Sequence, residues 1–254
     1  MAKVIAIANQ KGGVGKTTTC VNLAYSLGLF NTKTLLVDFD PQGNATSGYG
    51  VSKNESTTIY DVIIGGADIR DAIVSTPYGD IVPSNKALAG AGVEIVDLDN
   101  REYRLKEALD SIRGDYDCII IDCPPSLELL TLNALCAADS MIVPIQCEYY
   151  ALEGLSDLLN TVTILNDRLN PNLRIEGMVM TMYDSRTQLS NQVVEEVKAH
   201  FPNLVYDVKI PRNVRLSEAP SHGMPALALD KHSKGGRAYR KLGKKLSNAL
   251  KGVD

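Results

Sequence analysis

The chain has 254 residues, of which 44% are hydrophobic and 22% charged, and its formal net charge is −4. This is an ordinary balance for a soluble protein, and the length allows one large domain with a buried core. No run of 18 apolar residues is present, which excludes a transmembrane helix, and the first ten residues lack the long apolar region of a signal peptide. We therefore expect a single domain spanning residues 1–254.

Short β-branched runs alternate with segments of helical periodicity along the chain. The β-branched runs lie at residues 3–8, 34–38, 80–83, 118–122, 141–145 and 175–182. The helical segments lie at residues 16–29, 101–112, 126–137, 151–167 and 187–200. Nearly continuous apolar strands are typical of a sheet that is covered on both faces. The order therefore predicts an α/β fold, with a doubly wound, mostly parallel sheet flanked by helices on both faces.

One long segment between predicted strands, residues 39–75, is rich in Gly, Ser, Thr and Asn. It predicts a surface excursion after the second strand, with a short helix near residues 58–64. Ligands of parallel sheets bind at the carboxyl ends of the strands, so a long loop at this position is a candidate functional segment.

A glycine-rich stretch, GGVGKTTT, follows the first predicted strand and precedes the first helix. In that context the loop's backbone N–H groups can point at phosphate oxygens, and the helix adds its positive end. Lys16 would span the β- and γ-phosphates, and Thr17 would place its hydroxyl on Mg²⁺. The usual phosphate-loop pattern has a glycine where this chain has Gln10. The predicted phosphate-binding residues are Gly12, Gly13, Val14, Gly15, Lys16, Thr17 and Thr18.

Acidic residues end two of the predicted strands. Asp38 and Asp40 follow the run TLLV and are two residues apart, so their side chains share one side of the strand. Asp122 follows four apolar residues in CIIID, which is a Walker B pattern, and it would hold Mg²⁺ through water. Aspartates at strand ends can also be plain helix caps, and their position behind a phosphate loop favours the metal over the cap.

Charge is distributed unevenly along the chain. Residues 198–254 carry 12 Lys or Arg and 4 Asp or Glu, although the whole chain is acidic. This asymmetry indicates that one end or face meets an anionic surface. Apolar residues in the same region recur at helical spacing and predict a final amphipathic helix that docks on the core: Tyr239, Leu242, Leu246 and Leu250.

The cysteines do not form a recognisable metal or disulfide pattern. Their number is odd, no C-x-x-C pair occurs, and no histidine is suitably spaced. Reduced thiols in a cytoplasm, packed as small hydrophobes, are therefore favoured over a metal or redox role at Cys20, Cys118, Cys123, Cys136 and Cys147.

Three stretches resemble one family of nucleotide hydrolases. KGGVGKT resembles the deviant Walker A motif of the ParA/MinD family. Within that family, residues 144–159 (PIQCEYYALEGLSDLL) and 210–225 (IPRNVRLSEAPSHGMP) are similar to the ParA/Soj chromosome-partition ATPases. The resemblance covers almost the whole chain. It implies a P-loop fold, ATP and Mg²⁺ as cofactors, and a homodimer that sandwiches ATP.

The resemblance also implies roles for individual residues. Lys11 would reach the nucleotide of the second subunit and stabilise its phosphate charge in trans, as an arginine finger does. Asp40 would orient the attacking water, and Asp38 would support the metal shell. Glu148 would lie near the dimer interface or the ribose. Adenine would contact Met182, Pro211 and Asn213.

Partners follow from the same resemblance. The ATP dimer would bind double-stranded DNA without sequence preference through Arg186 and Arg215, and a ParB-type partner would stimulate hydrolysis. Five further cations would add to this surface: Lys234, Arg237, Lys241, Lys244 and Lys245. The protein would then be cytoplasmic and nucleoid-associated.

Two relatives of this family remain as alternatives. A MinD-like division ATPase would bind membranes through a terminal helix with bulky apolar residues, and the lysine-rich tail here has no Phe or Trp. No stable membrane association is therefore expected. An iron–sulfur member would bridge a cluster between subunits, for which Cys123 is a candidate without a convincing second ligand.

Overall fold

The structure, a computed structural model, describes residues 1–126, 128–148 and 151–253, without the side chains of residues 151–154, 156 and 157. Within these residues one sheet is built from seven strands: β1 (Lys3–Ile7), β2 (Thr34–Asp38), β3 (Val74–Thr76), β4 (Gly79–Val82), β5 (Cys118–Asp122), β6 (Ser140–Gln146) and β7 (Arg174–Thr181).

Helices connect and cover these strands. The α-helices in the described residues are α1 (Lys16–Gly28), α2 (Asn44–Gly48), α3 (Ile59–Ile63), α4 (Leu88–Glu94), α5 (Arg104–Asp110), α6 (Leu129–Ala137), α7 (Ala151–Arg168), α8 (Gln188–His200), α9 (Val214–Glu218), α10 (Ala226–Leu229) and α11 (Lys234–Lys251). Two short 3₁₀ helices lie at Ile69–Ala72 and Ala219–His222. No helix among the described residues is long and apolar enough to span a bilayer.

The strand order in the sheet is β3-β4-β2-β5-β1-β6-β7, and every neighbouring pair is parallel except β3 with β4. This confirms the doubly wound, mostly parallel sheet. β1 has β5 on one side and β6 on the other. The loop after β1 therefore lies between strands that extend the sheet in opposite directions. The carboxyl ends of β1, β2 and β5 therefore meet at one edge of the sheet, which is where α/β proteins bind ligands.

Two apolar layers cover the sheet. Along β1, Val4 and Ala6 face one layer while Ile5 and Ile7 face the other, as the two-residue period of a strand requires. The first layer contains the apolar faces of α3, α5, α6 and α8, and the second contains those of α1 and α11. The four apolar side chains of β1, from Val4 to Ile7, are fully buried, which explains their continuous apolar sequence.

The final helix docks as its periodicity predicts. Tyr239, Leu242 and Leu246 of α11 are buried in the layer that also contains α1, and Leu250 is partly buried. The two helices approach closely at Gly243, where an added Cβ would lie 2.6 Å from the Cβ of Ser26. This close packing fixes α11 along the helix that follows the glycine loop.

The long segment after β2 contains more structure than its composition predicts. The short helix expected near 58–64 is present as α3, but the same segment also holds α2, a 3₁₀ helix and the start of β3. α4 and β3 were not predicted, because neither has a clear apolar period. β3 is the antiparallel edge strand, and none of its three residues is fully buried, so it lacks the apolar run that marked the other strands.

Candidate functional site

The glycine loop spans residues 8–15, between the end of β1 and the start of α1. Gly13 and Gly15 have φ angles of 74° and 92°, a region that residues with a Cβ rarely adopt. Two neighbouring strands hold the loop. The Thr181 hydroxyl, at the end of β7, donates to the Val14 carbonyl at 2.8 Å, and the Asn9 side-chain amide donates to the Pro144 carbonyl in β6, also at 2.8 Å. The loop shape is therefore set by contacts within the subunit.

The two lysines of the loop have different environments. Lys16 is buried, and its Nζ donates to the backbone carbonyl of Lys11 at 2.9 Å. Burial lowers the pKa of Lys16, and the nearby charge of Asp122 partly offsets that shift. Lys11 is more than a third exposed, and its Nζ lies 3.5 Å from a carboxylate oxygen of Glu148. One ammonium thus points into the loop and the other lies at the surface.

Asp38 and Asp122 are direct partners in the register of β2 and β5, and both are fully buried. The Asp38 carboxylate is occupied by local donors. One oxygen accepts from the Thr46 N–H and hydroxyl at 2.7 Å each, and the other accepts from the Asp40 N–H at 3.3 Å. Burial raises the pKa of Asp38 to about 6 despite these bonds. Asp38 therefore fastens α2 to the end of β2.

Asp122 is less completely satisfied. The Cys20 thiol donates to its Oδ1 at 3.3 Å, whereas Oδ2 has no hydrogen-bond partner in the described part of the chain. Burial raises the pKa of Asp122 well above its usual range, the Asp38 charge raises it further, and the Thr17 hydroxyl opposes this. Buried polar atoms are normally hydrogen-bonded, so the unpaired Oδ2 is expected to have a further partner. A cation with its bound water molecules would supply one. The residues present therefore fit a magnesium ion beside Thr17 and Asp122.

Asp40, two residues after Asp38, is slightly less buried than the two strand-end acids. It is buried, its carboxylate accepts from the Gln42 N–H at 2.9 Å, and its carbonyl accepts from the Ser84 hydroxyl at 2.8 Å. The Ser84 N–H in turn donates to the Thr46 hydroxyl at 2.9 Å. Since Thr46 also binds Asp38, one continuous network sets the positions of both acids.

The three residues expected to contact adenine come from two segments of the chain and meet in one cavity. Met182, Pro211 and Asn213 line a cavity of about 370 Å³, together with Gly15 of the loop and Thr18 of α1. Met182 has a φ of 51°, an uncommon value for a residue with a side chain, and it directly follows β7. The cavity therefore opens beside the glycine loop.

The two predicted DNA-binding arginines lie at the surface, and each is paired within the subunit. Arg186 forms two hydrogen bonds to Asp184, at 2.9 and 2.7 Å. Arg215, in α9, pairs with Glu218 at 2.8 Å and with Asp230 at 3.5 Å. A groove of about 620 Å³ is lined by three of the predicted tail cations, Lys234, Arg237 and Lys241, and also by Lys209 and the acid Asp207. Of the other predicted cations, Lys245 lies 3.4 Å from Asp207.

Sequence reasoning missed several residues that shape this site. Asn9 orders the loop entrance, since its side-chain oxygen also accepts from the Lys11 N–H at 3.0 Å. Asn9 follows an apolar strand directly, which was an available signal. Thr46 and Ser84 had no such signal, because they are 38 residues apart and meet only in the folded chain. Cys20 was interpreted as packing alone, although its thiol touches Asp122.

All five cysteines are buried and free of disulfides. Burial raises the pKa of the Cys123 thiol, and the Asp122 charge adds to this rise, so the thiol stays protonated. In the ranges that the structure describes, no group of three or more His, Cys, Asp or Glu side chains is placed to hold a metal ion.

The sheet order and the loop between β1 and α1 place the chain in the class of P-loop nucleotide-binding proteins. Residues 2–175 match a family model described as an AAA domain. The sporulation initiation inhibitor protein Soj of Bacillus subtilis is 54% identical over 250 residues, which cover 97% of this chain and 99% of Soj. The chromosome partitioning protein ParA of Myxococcus xanthus is 53% identical over 249 residues, covering 97% of this chain and 88% of ParA.

Solved structures agree with the fold. A Mycobacterium smegmatis protein described as cobyrinic acid a,c-diamide synthase, solved with ADP and magnesium, superposes with a TM-score of 0.87. It is 39% identical, and the match covers 99% of this chain and 96% of that one. The chain belongs to the Soj/ParA family of chromosome-partitioning ATPases. This confirms the family and the ATPase class that the sequence indicated.

Proposed function

We propose that this protein is an ATP-driven switch for partitioning: it dimerises when it binds ATP and Mg²⁺, holds DNA without sequence preference, and releases it after hydrolysis stimulated by a ParB-type partner. The observation that carries the proposal is the contrast between the two loop lysines. Lys16 is buried where it can serve its own subunit's nucleotide, and Lys11 is exposed where it can serve another's.

Nucleotide binding rests on the continuity between the loop and the cavity. Gly15 and Thr18 border both, so a triphosphate on the loop and a base in the cavity belong to one ligand. Met182 and Pro211 supply flat apolar contact for the base, and Asn213 supplies a polar side chain for its edge. Lys16 is held against a backbone carbonyl and would exchange that acceptor for phosphate oxygens.

Magnesium would be held by the Thr17 hydroxyl directly and by Asp122 through water, with Asp38 supporting the acid pair. When bound, Mg²⁺ neutralises charge that develops on the phosphates. Mg²⁺ usually takes one or two protein oxygens plus phosphates and waters, not a cage of acidic side chains. A site of this kind agrees with the lack of a larger metal-ligating cluster in the described residues.

Hydrolysis would depend on Asp40 and on the second subunit. Asp40 is fixed by a network that reaches α2 and Ser84, which suits a residue that orients a water molecule. Lys11 would add positive charge at the phosphates in trans, so turnover requires the dimer. The monomer alone would hydrolyse ATP slowly.

DNA binding would use the basic face that contains Arg186, Arg215 and the cationic groove. Pro211 lines both the groove and the base cavity, so this face is adjacent to the nucleotide. Dimerisation would join two such faces, which adds phosphate contacts and makes affinity fall steeply with salt. In a cell the protein would be cytoplasmic and associated with the nucleoid.

The test is co-sedimentation with double-stranded DNA in the presence of ADP, ATP or a slowly hydrolysed ATP analogue, repeated with anionic lipid vesicles. We expect sedimentation with DNA only in ATP or the analogue, loss of binding as salt is raised, and no vesicle binding. Equal DNA binding in ADP would contradict the switch. Vesicle binding in ATP without DNA binding would support a membrane-associated ATPase instead.

A further inference from the structure

Cys20 contacts the acid that ends β5. It lies four residues after Lys16, one turn into α1, and it is fully buried. Its Sγ is 3.3 Å from Oδ1 of Asp122 and 3.9 Å from the carbonyl oxygen of Ile121. A thiol has one hydrogen to donate, and the carboxyl oxygen of Asp122 is the nearer of the two acceptors. The S–H therefore points at the Asp122 carboxylate.

The two oxygens of Asp122 differ because of this contact. Oδ1 is held by Cys20, and Oδ2 is buried with no hydrogen-bond partner within 3.5 Å in the part of the chain that the structure describes, although the Thr17 hydroxyl is close enough to lower the pKa of the carboxyl. A carboxylate rotates as a planar unit, so a contact that fixes one oxygen also fixes the direction of the other. The thiol thus helps to keep Oδ2 free and correctly aimed.

We propose that Cys20 is a positioning residue for the magnesium shell, acting through Asp122. This inference rests on the role of Asp122 in the proposed function. Replacing a residue that hydrogen-bonds to a metal ligand typically lowers the affinity for the metal by about 10- to 100-fold. A thiol is a weak donor, so it orients the carboxylate while leaving most of its negative charge for the cation.

The competing explanation is that Cys20 only fills space in the core layer beside α11. Cys118 is the matched control, because it is also fully buried in this layer and lies at the other end of the same strand, four residues from Asp122. Cys118→Ala removes the same thiol from the same layer without touching the acid. Cys20→Ser keeps a hydrogen-bond donor in a smaller side chain, whereas Cys20→Ala keeps none.

The experiment measures binding of a fluorescent, slowly hydrolysed ATP analogue while Mg²⁺ is titrated, and binding of the same analogue without metal. We expect Cys20→Ala to raise the half-saturating Mg²⁺ concentration about tenfold, near the low end for such contacts, with metal-free affinity unchanged. Cys20→Ser should stay close to wild type. Cys118→Ala should match wild type in both measurements.

Three outcomes would overturn the inference: Cys20→Ala behaves as wild type, Cys20→Ala and Cys118→Ala shift equally, or Cys20→Ser is impaired as much as Cys20→Ala. If Cys20→Ala does not fold, Cys20→Val replaces it as the variant without a donor. Asp122→Asn in the same assay separates the two proposals. If it keeps the wild-type Mg²⁺ dependence, the metal role of Asp122 itself is wrong; if it loses that dependence while the Cys20 variants do not, only the present inference fails.

Discussion

The ammonium of Lys11 lies 3.5 Å from a carboxylate oxygen of Glu148 in the same subunit. Glu148 also accepts a hydrogen bond from the Gln146 side chain at the end of β6, so the acid is held beside the loop entrance. To reach the nucleotide of a second subunit, Lys11 must leave this partner. The Lys11–Glu148 contact therefore opposes formation of the proposed dimer. Removing this contact by substitution tests that conclusion.

Glu148→Gln should strengthen ATP-dependent dimerisation. A half-exposed ion pair stabilises by about 0.5 kcal/mol, and two subunits each lose one, which predicts an increase of about fivefold in the dimerisation constant. Analytical ultracentrifugation in the slowly hydrolysed ATP analogue measures this constant. Glu195→Gln, which neutralises an exposed acid on α8, is the control and should leave it unchanged. Weaker dimerisation in Glu148→Gln would mean that Glu148 supports the interface.

The two loop lysines should separate nucleotide binding from dimerisation. Lys16→Ala should abolish ATP binding, because it removes the buried ammonium of the loop. Lys11→Ala should bind ATP with near wild-type affinity and remain a monomer, because only the trans contact is lost. Equilibrium nucleotide binding and gel filtration with ATP measure the two properties. An ATP-dependent dimer of Lys11→Ala would contradict the trans role.

Asp40→Ala should arrest the cycle after dimerisation. The variant should bind ATP, dimerise and persist on DNA, with hydrolysis reduced by about 100-fold or more if Asp40 orients the water. Phosphate release and DNA dissociation are measured on the same sample. Glu195→Ala, which removes an exposed acid from α8, serves as the control for lost negative charge. Brisk hydrolysis by Asp40→Ala would exclude the proposed role.

Arg215→Glu should lose DNA affinity and retain the ATP dimer. Arg215 is about half exposed on α9, and its present partners are the acids Glu218 and Asp230, so phosphates would compete for it. DNA binding at matched salt should fall, with a shallower dependence on salt concentration, because fewer phosphates are neutralised. Lys106→Glu on α5, whose neighbours Leu105 and Leu109 pack in the opposite layer, makes the same charge change as a control. Equal losses in both variants would indicate net charge alone.

Burial of Asp38 should make the free energy of unfolding depend on pH. Burial raises the pKa of Asp38 to about 6, so the native state binds its proton more readily than the unfolded chain does. Its contribution to the free energy of unfolding is therefore most unfavourable above pH 6 and disappears as the pH falls toward about 4. In urea titrations without metal, wild type should gain stability relative to Asp38→Asn as the pH falls through this window. A constant difference between the two proteins would contradict this assignment.

The sequence by itself determined the alternation of central strands and helices, and it identified the glycine loop. β1, β2, β5 and β6 are buried on both faces, so their apolar runs were unambiguous, and the loop's glycines and lysines are adjacent in the chain. The docking of α11 also followed from its period, because Tyr239 and Leu242 lie on one face of a helix. Such features depend on neighbours in sequence, which is why they could be predicted.

Only the tertiary structure decided how the site is held together. The partner of Lys11 is 137 residues away, the donor to Asp122 Oδ1 is 102 residues away, and Asp38 is fixed by a hydroxyl eight residues further along in a segment that composition described as a loop. A hydrogen bond requires donor and acceptor within about 3.5 Å, a condition that sequence spacing does not fix once the contact crosses strands. The residue types therefore indicated the chemistry of the site. The packing at the sheet edge determined which of these residues contact one another.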